Sequence, residues 1–441
     1  MRRPWIGLTA CALLAAVACS STVAAPPPGS SPGSSSPGSS TAGTTPTSAS
    51  AALGRDGVVP GYQGDVDATS PLIIRAAGPA PIPVTGTDTK VHVVYELEVL
   101  NFSPRPATLT GLETLDGGPN GEVVASVEGQ ALAERTILVV DPEPLPIAEI
   151  PVGRSALIMV DDVYGTKADV PATFSHRLQA TFGALDPKYA AIGALFPEGP
   201  VTQFGAAIAT STASPVVIGP PLAGDGWLAG NACCSLSIHR GTMAPIGGRI
   251  NAAERYAIDW FQVDTSPAGE IGAGGVVASV HGDPTKNESY LAYGERLLAV
   301  ADGTVVKVVT DVPDSTVGAP PTLPLDQLGG NVVIIDIGGG VYALYAHLVP
   351  GSATVKVGDK VTRGQVIGKL GNSGNSSEAH LHFHLTSRPA SLIGDNIPFE
   401  IDTLTLVGNY DGPKYHDGPD AGRRTNQLPL IASVVAFPEK P

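Results

Sequence analysis

Glycine and proline interrupt this chain at short intervals, and this limits its possible folds more than any other feature. The 441 residues include 53 glycines and 41 prolines, both well above average usage. Long helices do not tolerate that density, because glycine adds backbone freedom and proline removes a hydrogen-bond donor. Short strands joined by turns do. The length exceeds one ordinary domain, so we expect an all-β chain of two domains with additional segments.

The first domain is expected at 65–212, as an immunoglobulin-like β-sandwich. Between Val93 and Val99 apolar and polar residues alternate, which is typical of a strand with one buried and one solvent-facing side. Turn residues separate similar segments at sandwich-like spacing. The further strand candidates are Val123–Val127, Thr136–Val140, Ala156–Val160 and Thr173–Ala180.

This first domain carries no catalytic constellation that we recognise. His92 and His176 are isolated in the sequence, and a lone strand histidine is more often a surface residue or a hydrogen-bonded core residue than a ligand. The pair Asp161-Asp162 is predicted to form a turn. We therefore look for the chemistry in the second half of the chain.

The first 25 residues resemble a bacterial export signal. Arg2 and Arg3 precede an apolar stretch that is too short to span a bilayer. Small residues before Cys19 resemble a lipobox, which would make this cysteine a lipid anchor; an ordinary cleavage near Ala24 or Ala25 is the alternative. Segment 26–64 is rich in Ser, Pro and Gly and is predicted to be a linker without a core of its own.

The second domain is expected at 213–408. The Pro/Gly-rich passage 216–230 is interpreted as the junction, and short Val/Ile runs follow it. The tail, 409–441, is polar with an apolar island at 428–437, which could add an edge strand or remain unstructured. The strand candidates are Leu297–Val309, Asn331–Ile337, Val341–His347, Thr354–Val361 and Gln365–Leu370.

Two adjacent cysteines, Cys233 and Cys234, lie at the start of this domain. We expect them not to pair with each other, because neighbouring residues reach disulfide geometry only through a strained peptide. No second Cys pair lies at ligand spacing, so a zinc site built on them is not expected either. They are predicted to be two small buried residues; pairing with a cysteine of another molecule is the alternative.

Histidine is concentrated in a short stretch of the second domain. The run His380-Leu381-His382-Phe383-His384 places three imidazoles at a spacing of two. On a strand such residues share one face, so the three rings are expected to project to the same side. Each ring nitrogen needs a partner, and a metal ion uses the free lone pair directly. A solvent-exposed His-rich strand is the other interpretation.

Other motifs surround this triplet in a definite order. They are Ala299–Val305, Tyr345–Leu348, Val357–Gly368 and Gly371–Gly374. With the triplet they resemble the lysostaphin/LytM zinc endopeptidases, a duplicated hybrid motif family. That family carries Ala-x-x-x-Gly-x-Val, Tyr-x-His-Leu, a Gly-x-x-Val-x-x-Gly-Gln-x-Ile-Gly segment, Gly-x-x-Gly and then His-x-His. The likeness covers about 226–385 and implies an antiparallel β-sheet with a groove across it.

The resemblance implies roles for four residues. Asp259 and His382 would be Zn²⁺ ligands, while His347 and His380 would flank the metal-bound water and the scissile carbonyl. His384 matches no ligand of the family and is expected beside the site or exposed. A metal-bound water with a neighbouring histidine is a coherent hydrolytic arrangement.

One position departs from the family pattern His-x-x-x-Asp. Arg255 stands where the first ligand is expected, and a guanidinium offers no lone pair to a metal. His239, interpreted as lying on the preceding strand, could replace this ligand, and His281 could fold over the groove from its loop. Alternatively Arg255 could form a salt bridge with Asp259 and fill the site without metal.

Three functions therefore remain open at this point. The first is a zinc endopeptidase that hydrolyses peptidoglycan cross-link peptides. The second is a metal-free module that binds cell-wall peptide or regulates another hydrolase, and the third is a purely structural lipoprotein whose β-sandwich does the binding. The formal charge of −15 argues against nucleic acid and against an anionic membrane surface as the main partner. Contact with a membrane is expected only through an N-terminal lipid, and the location is the cell envelope or the outside of the cell.

Overall fold

A computed structural model describes residues 69–139, 146–265, 279–411 and 414–439. The export signal with Cys19 and the whole of the linker lie outside these residues. The described chain is nearly all β, with 46% of it in strands and 7% in helices. The expectation of an all-β protein with antiparallel sheets is confirmed. No helix in the described ranges has the length and apolar character that a membrane crossing requires.

Among its described residues, the first domain has ten strands and two short helices. Two five-stranded antiparallel sheets face each other: one contains β1, β2, β3, β6 and β8, and the other contains β4, β5, β7, β9 and β10. The elements are β1 Leu72–Ala76, β2 Val84–Thr85, β3 Val91–Asn101, β4 Ala107–Asp116, β5 Val123–Glu128, α1 Gly129–Ala133, β6 Thr136–Leu138, β7 Glu149–Ile150, β8 Ser155–Tyr164, β9 Thr173–Phe182, α2 Ala190–Gly193 and β10 Val201–Ala209. Single 3₁₀ turns are formed by Lys167–Asp169 and Pro187–Tyr189.

The apolar residues of the two sheets meet in one core. Leu97 and Val99 of β3 pack there with residues of the opposite sheet such as Leu112 and Leu178. The arrangement is that of a β-sandwich, as the alternating pattern predicted. In one respect that pattern misleads, because the polar side of β3 is buried as well: from Val91 to Val99 each residue is buried. The second domain and the neighbouring strands cover this side.

In the described part of the second domain there are sixteen strands. Ten of them make one sheet in the order β20-β17-β18-β19-β22-β15-β12-β26-β24-β25, and the rest form two-stranded pairs. They are β11 Val216–Ile218, β12 Gly224–Gly230, β13 Met243–Ile246, β14 Arg249–Ala252, β15 Ile258–Gln262, β16 Arg296–Leu298, β17 Gly303–Val309, β18 Val332–Asp336, β19 Tyr342–Ala346, β20 Lys360–Val361, β21 Val366–Lys369, β22 Leu381–Thr386, β23 Phe399–Ile401, β24 Leu404–Asp411, β25 Lys414–Arg424 and β26 Ser433–Phe437. The helices are α3 Ile238–Gly241 and the 3₁₀ turns Asn287–Ser289 and Leu325–Gln327.

The C-terminal segment is part of this sheet and not an appendage. Strand β26 lies between β12 and β24, with Val434 opposite Leu228. Val435 and Phe437 are buried in the domain core. The expected edge strand is therefore an interior strand. The Pro/Gly-rich passage 216–230 also forms strands, because it supplies β12 of this sheet and β11, which pairs with β23.

Two local predictions are wrong. Asp161 and Asp162 do not form a turn but lie within β8, opposite Val94 and Val93 of β3. Cys233 and Cys234 are bonded to each other. A cis peptide bond joins the two cysteines, and their Cα atoms are 3.0 Å apart, close enough for the sulfurs to meet. Both cysteines are buried in the core of the second domain, as expected.

Candidate active site

The centre of the site is the carboxylate of Asp259. This residue lies on β15, between β12 and β22, opposite Gly230 on one side and His382 on the other. Three antiparallel strands therefore determine its position. Glycine at 230 leaves no side chain on that side, and Asp259 is only 5% exposed. An ionised carboxylate buried to this extent requires charged or hydrogen-bonding partners.

Three imidazoles and one amide supply these partners. His382 Nδ1 lies 3.0 Å from Asp259 Oδ1, and His380 Nε2 lies 3.3 Å from the same oxygen. His239 Nε2 lies 3.3 Å from Asp259 Oδ2. Asn231 Nδ2 donates to that oxygen at 2.7 Å. The structure therefore gathers the three histidines, which lie up to 143 positions apart, around one carboxylate.

Backbone contacts determine the tautomer of two of these rings. His239 Nδ1 lies 3.2 Å from the Ala257 carbonyl oxygen, and His380 Nδ1 lies 2.9 Å from that of Glu378. A carbonyl oxygen only accepts, so both Nδ1 atoms must donate. In a neutral ring Nε2 then carries a lone pair, which here faces the Asp259 carboxylate. Such a lone pair and the carboxylate repel each other unless a proton or a metal cation lies between them.

The charges follow from this geometry. Burial alone would raise the pKa of Asp259, but His239 and His380 hold it well below its usual value. Burial alone would lower the pKa of His239, but the charge of Asp259 raises it to about 9. The pKa of His380 is also raised, because Asp259 offsets its burial. Without a metal, the site therefore binds protons where a divalent cation would otherwise provide the positive charge.

His347 completes the group from another strand. It follows directly on β19, and its Nδ1 lies 2.7 Å from the Ser373 carbonyl oxygen. Its ring centre is 4.8 Å from that of His380. Burial, together with repulsion from His380 and His382, holds the pKa of His347 well below its usual value. This ring is therefore neutral at ordinary pH, with its Nε2 lone pair available. Its φ of 65° is a rare conformation for a residue other than glycine.

His384 lies behind His382 and not at the surface. Its Nδ1 is 2.9 Å from His382 Nε2, and the residue is completely buried. Burial and the neighbouring imidazoles hold the pKa of His384 well below its usual value. A buried neutral ring in this position can orient His382 from the side away from Asp259.

One set of three residues could hold a metal ion at this centre: the ligand atoms of His239, Asp259 and His382 all lie within 4.8 Å of one another. Zinc binds nitrogen at about 2.0–2.1 Å and carboxylate oxygen at about 2.0–2.2 Å. Ligand atoms around such an ion are about 3.3 Å apart. The distances from the Asp259 carboxylate to His239 Nε2, 3.3 Å, and to His382 Nδ1, 3.0 Å, are close to this value. The donor types and the burial both fit the ion.

A second group, His92, Asp161 and Cys234, lies at similar spacing in the interface between the domains. The sulfur of Cys234 is part of the disulfide, so it is not available as a thiolate ligand. His92 is hydrogen-bonded to Asp161 at 2.9 Å and to Asp88 at 3.3 Å. These contacts satisfy the ring without a metal.

Three expectations about the departure from the family pattern can now be compared with the structure. His239 lies on the four-residue helix α3 and not on a strand, yet its side chain reaches Asp259. His281 is turned toward Asp264 at 3.6 Å, and its side chain is 63% exposed. Arg255 forms no salt bridge with Asp259. Its guanidinium donates instead to Glu96 of the first domain, where it is fully buried.

Two features of the site were not predicted. Asn231 follows β12 and donates to Asp259, but a lone asparagine after a strand has no distinctive spacing. Glu96 is buried between Arg240 and Arg255, although its alternating pattern placed it in solvent. Burial alone would raise the pKa of Glu96, but the two guanidiniums hold it below its usual value. Such a contact between distant segments leaves no signal in a single sequence.

Comparison with known proteins agrees with the resemblance. Residues 289–392 match the model of Peptidase family M23. The peptidoglycan DD-endopeptidase ShyA of Vibrio cholerae is 42% identical over 71 residues, which make up 16% of this chain and 16% of ShyA. The matched family segment includes His347, His380 and His382. Asp259 and His239 precede it.

Two solved structures align with parts of the chain. The catalytic domain of lysostaphin from Staphylococcus simulans is 21% identical, covers 37% of this chain and 78% of its own, and has a TM-score of 0.19. Csd3 of Helicobacter pylori is 12% identical, covers 76% of this chain and 76% of its own, and has a TM-score of 0.22.

Proposed function

We propose that this chain, which contains a Peptidase family M23 domain, is a zinc endopeptidase that hydrolyses the cross-link peptides of peptidoglycan. The match to an M23 peptidase and to a peptidoglycan DD-endopeptidase supports an endopeptidase acting on peptidoglycan. The observation that carries the metal part of the proposal is the convergence of His239 and His382 on Asp259, with a lone pair of His239 aimed at the carboxylate.

Three protein ligands are what a catalytic zinc site requires, with a fourth position left for water. His239, Asp259 and His382 would supply them. The Ala257 carbonyl holds Nδ1 of His239, so that Nε2 faces the centre. His384 contacts the ring of His382 from behind. When bound, zinc lowers the pKa of a bound water to about 7 and polarises a carbonyl group.

His347 and His380 have different tasks in this proposal. His347 is neutral, and Ser373 holds its Nδ1, so its Nε2 can accept a proton from the attacking water. Glu378 holds Nδ1 of His380, so its Nε2 faces the centre, where it would flank the oxygen on which charge develops. The raised pKa of His380 belongs to the metal-free protein, in which no cation shares the charge of Asp259. The stacked ring of Phe261, 5.0 Å from that of His380, limits its rotation.

The position of Arg255 favours the enzyme over the metal-free module. The module was proposed because Arg255 could neutralise Asp259. Arg255 is instead bonded to Glu96, and a histidine from α3 stands beside Asp259. The centre therefore contains no guanidinium, and the Nε2 lone pair of His239 can take either a proton or a metal ion.

Location follows from the substrate and from the N-terminal sequence. Peptidoglycan lies outside the cytoplasmic membrane, and residues 1–25 resemble an export signal with a lipidation motif at Cys19. We propose that the protein acts in the cell envelope, attached by a lipid or released after cleavage.

Metal analysis and a digestion assay test the proposal together. Untagged protein is expected to contain one zinc per chain and to convert cross-linked muropeptide dimers into monomers, followed by mass spectrometry. Asp259→Ala should lose both the metal and the product. Arg388→Ala, at an exposed turn residue of the same domain, should retain both. Stoichiometric zinc without cleavage of any cross-linked dimer would refute the endopeptidase, and absence of zinc would refute the metal centre.

A further inference from the structure

We propose that Glu96, on the first domain, is a positioning residue of the metal centre, which it serves by holding Arg240 and through it His239. The inference deepens the proposed function and rests on it only for the identity of the bound ion. Glu96, Arg240 and Arg255 are called the Glu96 cluster below.

The Glu96 cluster joins the two domains inside the protein. Glu96 lies on β3, and its side chain is 0% exposed. Arg240 donates to Oε1 of Glu96, and Arg255 donates to both carboxylate oxygens. The side chain of Arg240 is 0% exposed and that of Arg255 is 3% exposed. A carboxylate without these cations could not remain buried and charged.

Arg240 contacts two backbone carbonyls of the first domain in addition to Glu96. Its Nη2 atom lies 3.4 Å from the Tyr95 carbonyl oxygen and 3.2 Å from that of Val160. These carbonyls belong to β3 and β8, two paired strands of the sandwich. Three acceptors on a rigid sheet therefore determine where this guanidinium lies, because its donors form a planar fork.

His239 is the residue directly before Arg240 on α3. This helix has four residues, too few to be stable by their own hydrogen bonds. Its place must come from tertiary contacts. Besides Arg240, two contacts position this residue: Ser237 Oγ donates to the Asn231 carbonyl at 3.0 Å and caps the helix, and His239 Nδ1 lies 3.2 Å from the Ala257 carbonyl oxygen. The position of the candidate ligand His239 is thus tied to the first domain by the neighbouring side chain.

The two arginines of the Glu96 cluster adjoin different parts of the site. Arg240 directly follows His239 in the chain. Arg255 lies four residues before Asp259, but Asp259 is held by pairing with strands on both sides, at Gly230 and His382. Removing Arg255 should therefore leave Asp259 in place, whereas removing Arg240 should free His239. If the cluster only stabilised the fold, replacing Arg240 and replacing Arg255 would affect the site equally.

The test compares Arg240→Met with Arg255→Met, which each remove one cation from the same carboxylate and leave the other pair. Zinc dissociation constants are measured by chelator competition in the full chain. Arg240→Met is expected to weaken zinc binding by about 10–100-fold, the range usual for residues that orient a ligand, and Arg255→Met by less than about 3-fold. Arg240→Lys keeps the charge but not the planar fork, and should fall between Arg240→Met and the wild type.

Glu98→Gln is the matched control on the same strand. Glu98 pairs with Arg75, whose side chain is 69% exposed, away from the Glu96 cluster. The Glu98→Gln substitution should therefore leave the zinc affinity unchanged. Equal losses in Arg240→Met and Arg255→Met, or no loss in either, would overturn the proposal. If Arg240→Met does not fold, the same decision rests on Arg240→Lys.

A structural readout separates this inference from the proposed function. Crystal structures of metal-free wild type and Arg240→Met should differ in the distance from His239 Nε2 to Asp259 Oδ2, which is 3.3 Å here. A clear lengthening supports the positioning role even if the wild type proves to bind no zinc. An unchanged distance refutes it, whatever the metal content.

Discussion

The buried histidines of the two domains meet different conditions. In the sandwich, His92 contacts two carboxylates, Asp161 and Asp88, while His176 bonds the Tyr95 hydroxyl at 2.7 Å and the Ala206 carbonyl at 3.0 Å. Each of these rings has a partner for each nitrogen. In the second domain, three rings converge on the single carboxylate of Asp259. Burial of a histidine therefore does not by itself indicate a functional site. The convergence of several imidazole rings on one carboxylate does.

The charges of these rings show the same contrast. Burial lowers the pKa of His176 to about 4, so this ring is neutral. Burial alone would lower the pKa of His92, but Asp161 and Asp88 raise it to about 9. The neutral ring of His176 and the protonated ring of His92 are each stabilised by hydrogen-bond partners within the first domain. At the candidate site, His239 has a similarly raised pKa, but a metal ion could replace its proton.

The largest difference between the two domains is expected when one histidine is removed from each. His239→Ala should weaken zinc binding by at least about 100-fold, since even residues that only orient a ligand cost about 10–100-fold. His92→Ala should leave zinc affinity unchanged but lower the free energy of unfolding by about 1–3 kcal/mol, because Asp161 loses a buried partner. Zinc titration and urea unfolding of both variants check this. A loss of zinc in His92→Ala would remove the distinction between the domains.

The pH dependence of the metal-free protein sharpens the contrast. His92 and His239 each have a folded pKa of about 9, above the value of 6.5 taken as unperturbed. Their stabilisation is complete below about pH 6.5 and is lost as the pH rises through about 9.

We expect the contribution of His92 to this loss to be on the order of 2 kcal/mol, since the partner Asp88 is partly exposed and screened by solvent. Urea unfolding at several pH values measures it. His92→Gln should remove this part of the slope, and saturating zinc should remove the part due to His239. A slope that zinc leaves unchanged in His92→Gln would contradict the assignment to His239.

The smallest expected effect concerns the sandwich core. Tyr95 Oη lies 2.7 Å from both Asp162 Oδ2 and His176 Nε2, and one hydroxyl proton can serve only one of them. Burial raises the pKa of Asp162 to about 6. Its stabilisation is present below about pH 4 and is lost as the pH rises through about 6. Asp162→Asn should therefore gain on the order of 1 kcal/mol at pH 8, measured by urea unfolding. A loss at pH 8 would show that the carboxylate is needed in its charged form.

Much of the second domain could be predicted because its signals are local. The histidine triplet, the Tyr-x-His-Leu segment and the glycine turns each lie within a few residues. His380 precedes β22, which carries His382 and His384, and the Tyr-x-His-Leu segment begins on β19 and ends just after it. Strand periodicity correctly places His382 and His384 on one face. The family resemblance derived from these motifs is confirmed.

Other parts could not be predicted because they depend on contacts between distant segments. Within the apolar island, residues 433–437 form an interior strand through pairing with β12 and β24. Cys233 and Cys234 bond through a cis peptide, which their sequence does not indicate. Glu96 looked like a solvent-facing residue because its partners, Arg240 and Arg255, lie 144 and 159 residues away.

By itself, the sequence determined the class of fold, the order of the motifs and the chemical types gathered in the second domain. Spacing along one strand is a property of the local chain, so alternation and turn residues suffice for it. Only the tertiary structure decided that Arg255 turns away from Asp259 and that His239 approaches it. Those positions depend on how two domains pack around a buried carboxylate, and packing energies are summed over residues that no short pattern connects.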